Sequence, residues 1–239
     1  MATQTRPVIG INSTYYRDAH AWYKVPVNYP NAVYQAGGLP LIFPCDPDPD
    51  KLKAYIGKID GMLFCGGDDY PPDLYGEEPH AASEFIERQR AETDVMLMRM
   101  LLEDADIPIL AICAGHQLLA IASGAKLIQH IDHPEMHGHR GETTHPIDII
   151  GGKWLKTIFN APSIVVNSYH HQAVRRDDLP SALEISAASP DGLIEAMEYR
   201  GNRFILGVQW HPERIRDTNH KKMLFEFFIN MTRERTPTA

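Results

Sequence analysis

Three residues of this chain have the side-chain types of a covalent acyl-transfer site, and each stands where such chemistry is expected. Cys113 follows the apolar run Ile109 to Ile112 and is followed two residues later by Gly115, after which a helical pattern runs from His116 to Ala122. A strand that turns tightly into a helix holds a reactive side chain above the sheet, as in a nucleophile elbow. It also sets the sulfur beside a helix N-terminus, whose positive end favours the thiolate. His211 and Glu213 flank Pro212, just beyond the apolar run that ends at Val208. In extended backbone, residues two apart point the same way, so imidazole and carboxylate can stand side by side. A thiol nucleophile needs a base that withdraws its proton, and the imidazole needs an acceptor that fixes its tautomer. Cys113, His211 and Glu213 supply that set. Taken singly, the same residues also fit a buried core cysteine and a turn histidine.

Gly66-Gly67 adds a third piece, because glycines after a strand let backbone N–H groups approach a ligand closely. An acyl-transfer site needs two donors at its oxyanion. The amide of Ala114, next to the nucleophile, is the natural first and Gly67 the second, although an ordinary Gly-Gly turn fits the pair equally well.

The elements that must position these residues read as follows. Apolar runs at 7–12, 39–43, 60–64 and 109–112 are expected strands, with helices at 29–35, after Asp50 as a cap, and at 92–103. Residues 13–25 and 71–87 read as loops. Further strands are expected at 126–130, 145–150, 163–167 and 184–187, a hairpin of 193–199 with 203–208 turning at Gly201-Asn202, and a last helix carrying Leu224, Phe227, Phe228 and Met231. Alternating strands and helices in the first half predict an α/β fold with a parallel sheet flanked by helices. With no linker, repeat or low-complexity stretch, the 239 residues read as one domain, its core about 6–232. The net charge of −8 excludes a general nucleic-acid binder. Three cysteines without a CxxC point to a reducing compartment. With no apolar stretch of membrane-spanning length and no signal-peptide-like start, a cytoplasmic protein is expected, without a membrane partner.

Cys113-x-Gly115-x-Gln117-Leu-Leu with Gly207-Val-Gln-Trp-His211-Pro-Glu213 resembles the class I glutamine amidotransferase superfamily. Other stretches narrow the resemblance to its gamma-glutamyl-gamma-aminobutyrate hydrolase branch. These are Arg6-Pro-Val-Ile-Gly-Ile11, Ala36-Gly-Gly-Leu-Pro40, Gly66-Gly67-Asp-Asp69, Val166-Asn-Ser-Tyr-His170-His171-Gln172 and Asp191-Gly-Leu-Ile-Glu195-Ala. The resemblance spans Arg6 to about Phe228. It implies a single domain with a flavodoxin-like core and a central, mostly parallel sheet. It also implies hydrolysis of a small γ-glutamyl amine through a γ-glutamyl thioester, of the kind found in polyamine catabolism. Cys113 would attack, His211 would act as base with Glu213 behind it, and the amides of Gly67 and Ala114 would hold the oxyanion. Gly66, His116, Gln117, Ser168, Tyr169, His171 and Gln172 would contact the substrate. No metal or organic cofactor is required, and related folds often form dimers, so a homodimer is an open expectation.

Departures cluster near the nucleophile. Where the hydrolase branch has Arg, Met and Asn, this chain has Ala114, His116 and Ala120; the glycine two before the nucleophile is Ala111; and the Arg-Asp pair before the long helix reads Arg90-Ala91. The run Cys113-x-Gly-His-Gln-Leu-Leu-Ala is closer to the glutaminase domains of true amidotransferases. A glutaminase subunit serving a separate synthase therefore stands as an alternative, as does a non-catalytic binding relative. The polar stretch 130–145, with His130, His133, His137, His139 and His145 beside Asp132, Glu135 and Glu142, matches no compact helical ligand pair. It reads as an exposed loop at the mouth of the site, without a metal. Of His170 and His171, which alternate, one is expected to face the pocket. Asp68 and Asp69 fit either a substrate amine or a solvated turn, and His116 fits either substrate contact or packing.

Overall fold

In the computed structural model, which describes residues 5–104, 106–131, 139 and 141–234, the short apolar runs are strands, largely buried on both faces except for the run at 39–43, which lies at the sheet edge and is partly exposed. The elements in chain order are β1 (Val8–Ile11), β2 (Thr14–Arg17), β3 (Ala21–Lys24), α1 (Asn28–Gln35), β4 (Leu39–Ile42), α2 (Pro49–Ile56), β5 (Gly61–Phe64), α3 (Arg88–Asp104), β6 (Ile109–Ile112) and α4 (Ala114–Ala122). They continue with β7 (Leu127–Ile128), β8 (Thr143–Ile149), α5 (Trp154–Phe159), β9 (Ser163–Ser168), β10 (Ala173–Val174), β11 (Leu183–Ala188), β12 (Ile194–Tyr199), β13 (Ile205–Val208) and α6 (Thr218–Glu234).

Nine strands form the central sheet in the order β4-β1-β5-β6-β13-β12-β11-β8-β9. The strands from β4 to β13 run parallel, and those from β13 to β9 pair antiparallel. Two core layers follow from the period of two along each strand. Met62, Phe64, Ile109 and Ala111 pack toward α2, α3 and α4. Leu63, Leu110, Ile112, Leu206 and Val208 pack toward α1, α5 and α6. All four residues of β5, β6 and β13 are buried, as parallel strands covered on both faces must be.

Several local expectations change. Residues 14–24 form the hairpin β2–β3 rather than a loop. Its alternation is hard to read because β3 is exposed along its whole length, so no face is reserved for the core. Tyr15 against Tyr23 and Lys24 over Tyr16 brace it instead. The cap of α2 is Asp48, whose carboxylate accepts from the amides of Asp50 and Lys51, with Pro49 opening the helix. Helix α5 has six residues, too few for a periodic signal. A side chain far away in sequence caps it: the Glu198 carboxylate accepts from the amides of Lys153, Trp154 and Leu155 at 2.7–2.9 Å. His139 is buried, not exposed; His133, His137, Asp132 and Glu135 lie outside the described residues.

Candidate active site

The pairing of β6 with β13 brings the two reactive segments together. Val208 lies beside Ile112 in register, so the residues that follow each strand emerge at the same sheet edge. Cys113 has φ 53° and ψ −107°, a left-handed backbone that non-glycine residues rarely adopt. That turn starts α4 at once, with Ala114 as its first residue. Gly115 permits it: a Cβ there would stand 2.5 Å from the Phe64 carbonyl oxygen on β5.

His211 favours the ionised form of Cys113, and its Nδ1 lies 2.7 Å from Glu213 Oε1. The Glu213 carboxylate therefore holds the proton on Nδ1 and turns Nε2 to the sulfur. Burial opposes ionisation of Cys113, but His211, with His170 behind it, outweighs burial and lowers the thiol pKa. Burial likewise opposes protonation of His211, yet Cys113 and Glu213 raise its pKa. Each group thus favours the charged form of the other.

Neighbours that the sequence pattern does not nominate hold this arrangement. The Asn167 side chain bonds the His211 backbone twice, donating to its carbonyl and accepting from its amide, both at 2.9 Å. Tyr29 Oη accepts from the Gly66 amide at 2.9 Å and lies 3.4 Å from His211 Nδ1. Gln209 Nε2 points at Cys113 Sγ at 3.7 Å, while its oxygen faces Gln117 Nε2 at 3.4 Å. Gln209 had a legible signal, since it sits two residues before His211 and shares its face. Asn167 stands in a stretch that carries the family resemblance, but nothing local tells its role, and Tyr29 had no signal, because both reach the site from other elements.

The cleft at the sulfur has a volume of about 120 Å³ and is lined by Gly67, Asp68, Asp69, Glu84, Cys113, Gln117, Tyr169, His170, His171 and Gln172. Both His170 and His171 border it, where alternation predicted one. Asp69 is buried and held, its carboxylate 3.1 Å from His171 Nε2 and accepting from the Glu84 amide at 2.9 Å. Asp68 is exposed. Gly66 lies behind the cleft, where a Cβ would come within 2.8 Å of His211 Cε1. Tyr169 also borders a larger cavity of about 810 Å³, which reaches Glu213, Arg214 and Arg216.

Two further nominated residues, like Gly66, do not line the cleft. His116 is fully buried beneath the elbow and packs on Gly207, where a Cβ would come 2.8 Å from its Nδ1; burial pushes its pKa down to about 4. Ser168 is buried as well, and its hydroxyl donates to the His139 carbonyl at 3.1 Å. Among the described residues, no helix is long and apolar enough to cross a membrane.

The profile of one hydrolase family, Peptidase C26, matches residues 7–213, a span that holds both reactive segments. A Mycobacterium tuberculosis protein that carries a glutamine amidotransferase name is 34% identical over 227 residues, covering 89% of this chain and 71% of its own. The gamma-glutamyl-gamma-aminobutyrate hydrolase of Escherichia coli K12 is 33% identical over 242 residues, covering 93% and 92%. A solved structure from Thermoplasma acidophilum, bearing a GMP synthase name, superposes with a TM-score of 0.67 at 20% identity. It covers 97% of this chain and 96% of its own, and speaks for the fold alone. A match that runs from the first strand through Glu213, together with relatives aligned along nearly the whole chain, places the protein in the Peptidase C26 family.

Proposed function

We propose that this chain hydrolyses the γ-glutamyl amide bond of a small γ-glutamyl amine, with Cys113 as nucleophile. The observation that carries the reading is the meeting of Cys113 with the hydrogen-bonded pair His211–Glu213 at a small cleft that Asp69 and Glu84 also line. The Escherichia coli relative named for γ-glutamyl-γ-aminobutyrate hydrolysis supports the substrate class. The thiolate attacks the γ-carbonyl, and the amides of Gly67 and Ala114 receive the oxyanion. As the C–N bond breaks, His211 gives its proton to the departing amine. Water, deprotonated by His211, then cleaves the γ-glutamyl thioester, releasing glutamate and restoring the thiolate–imidazolium pair. Asp69 and Glu84 suit the α-ammonium of the glutamyl group, and the amine side of the substrate leads past Tyr169 into the larger cavity.

The test is glutamate release by the purified chain across a panel of γ-glutamyl amines that includes glutamine. Turnover of one conjugate, absent in Cys113→Ala and reduced about 10²–10⁴-fold in His211→Asn, is expected. Turnover that survives Cys113→Ala overturns the mechanism. Release from glutamine alone, and only with an added synthase, overturns the stand-alone hydrolase in favour of a partner-dependent glutaminase.

A further inference from the structure

Next to the cysteine site lies a second cluster of ionisable groups that the hydrolysis does not use. Glu195, on β12, is fully buried, and neither of its carboxylate oxygens has a hydrogen bond among the described residues. Three imidazoles face the same oxygen: His139 Nδ1 lies 3.4 Å from Glu195 Oε1, and His145 Nε2 and His170 Nε2 each lie 3.6 Å from it. These separations are long for hydrogen bonds. They match the spacing of about 3.4 Å between donors placed tetrahedrally at about 2.0–2.2 Å around one ion. The donor atoms of His139, His145 and Glu195 all lie within 4.8 Å of one another.

The far side of each ring completes the argument. His139 Nε2 is 2.9 Å from Asp191 Oδ2, and His145 Nδ1 is 3.1 Å from the Pro146 carbonyl oxygen. Acceptors at the far nitrogens keep the protons of neutral imidazoles there, as carboxylates and carbonyls do behind metal-bound histidines. The near nitrogens then turn lone pairs toward a carboxylate, and His145 Nε2 has no hydrogen bond of its own among the described residues. Lone pairs facing a carboxylate repel one another; a cation held between them makes the arrangement favourable.

We propose that His139, His145 and Glu195 bind a divalent first-row transition-metal ion. Two imidazoles and one carboxylate suit zinc first among these. Sequence spacing did not show the site, because its donors come from the segment before β8, from β8 itself and from β12. Its place in the fold assigns it a bracing role. The His139 carbonyl accepts from the His170 amide at 2.9 Å and from Ser168 Oγ, so an ion fixing His139 also fixes the wall of the cleft that carries His170 to Gln172. Ser168 Oγ and His170 Nε2 stand beside the cluster, 3.4 Å from His139 Nδ1 and 3.6 Å from Glu195 Oε1.

The test is titration of the chelator-treated full chain with Zn²⁺ by calorimetry, with metal content read by mass spectrometry. Wild type and Cys113→Ser are expected to bind one ion per chain, with a rise in Tm. In His145→Gln and Glu195→Gln the affinity falls at least tenfold and the Tm rise is lost, and Asp191→Asn weakens binding about 10–100-fold. Cobalt in place of zinc should give a ligand-field spectrum of nitrogen and oxygen donors without thiolate charge transfer. That spectrum decides the matter should Glu195→Gln fail to fold. Absence of binding, binding unchanged in His145→Gln, or binding lost in Cys113→Ser overturns the site. Because the readout is metal binding, it stands or falls independently of the hydrolase activity.

Discussion

At the scale of single residues, the three thiols of this chain differ by environment alone. Burial pushes Cys45 up to about 11 and Cys65 well above the ordinary thiol range, whereas His211 brings Cys113 below it. Alkylation by iodoacetamide at neutral pH should therefore modify one thiol per chain, and none in Cys113→Ala, as counted by intact mass. The sign of the pH dependence follows from the lowered pKa. The thiolate persists below the ordinary range and is lost as pH falls through the lowered value, so the labelling rate should drop only on the acid side. Without the imidazolium, His211→Asn should shift that drop to higher pH and slow labelling at neutrality about tenfold or more. An unchanged profile would show that His211 does not set the thiol's ionisation.

At the scale of elements, the elbow depends on contacts that tolerate no added atom. A methyl group at Gly115 meets the Phe64 carbonyl on β5, backbone that cannot swing aside. Gly115→Ala should cost about 1–3 kcal/mol by overpacking and displace Cys113, read as lower denaturant stability and a larger loss in kcat. The segment after β13 depends on Asn167 at the end of β9. Asn167→Ala leaves a buried amide and a buried carbonyl of His211 without partners, about 1–3 kcal/mol for each group. Its expected signature is a fall in kcat with the Cys113 labelling stoichiometry retained. Equal kcat in the variant would reduce Asn167 to a strand residue with no hold on the base.

For the molecule as a whole, a buried polar network joins the parallel half of the sheet to the Gly66-Gly67 loop. Arg90 and Asp94, both buried on α3, pair at 3.1 Å. Asp94 also accepts from Asn12 and Tyr70, and Arg90 donates to the Gly66 carbonyl at 3.1 Å. Removing one member of a buried pair strands the other's charge, at about 3–5 kcal/mol. Arg90→Met should therefore lower Tm by roughly 2–4 °C for each kcal/mol lost and loosen Gly66-Gly67, raising KM. A thermal midpoint within about a degree of wild type would show that the pair contributes nothing net.

The sequence by itself determined the strands and helices of the parallel half of the sheet, the elbow at Cys113 and the side-by-side placement of His211 and Glu213. Each of these is written in short-range pattern: burial on both faces makes four-residue apolar runs, a strand-to-helix turn calls for Gly115, and a period of two puts residues 211 and 213 on one face. Local signals failed where the partner is remote or the element faces water. The cap of α5 comes from Glu198, the clamp on His211 from Asn167, and the exposed β2–β3 hairpin has no apolar face to announce it. Only the tertiary structure decided that His116 packs beneath the elbow while Gln117 reaches the cleft. The same packing gathered His139, His145 and Glu195 from separate parts of the chain around one point. The physical reason is shared by all of these cases. Backbone geometry acts over a few residues and leaves a pattern in their order, whereas the meeting of side chains from distant segments is set by how the sheet pairs and packs.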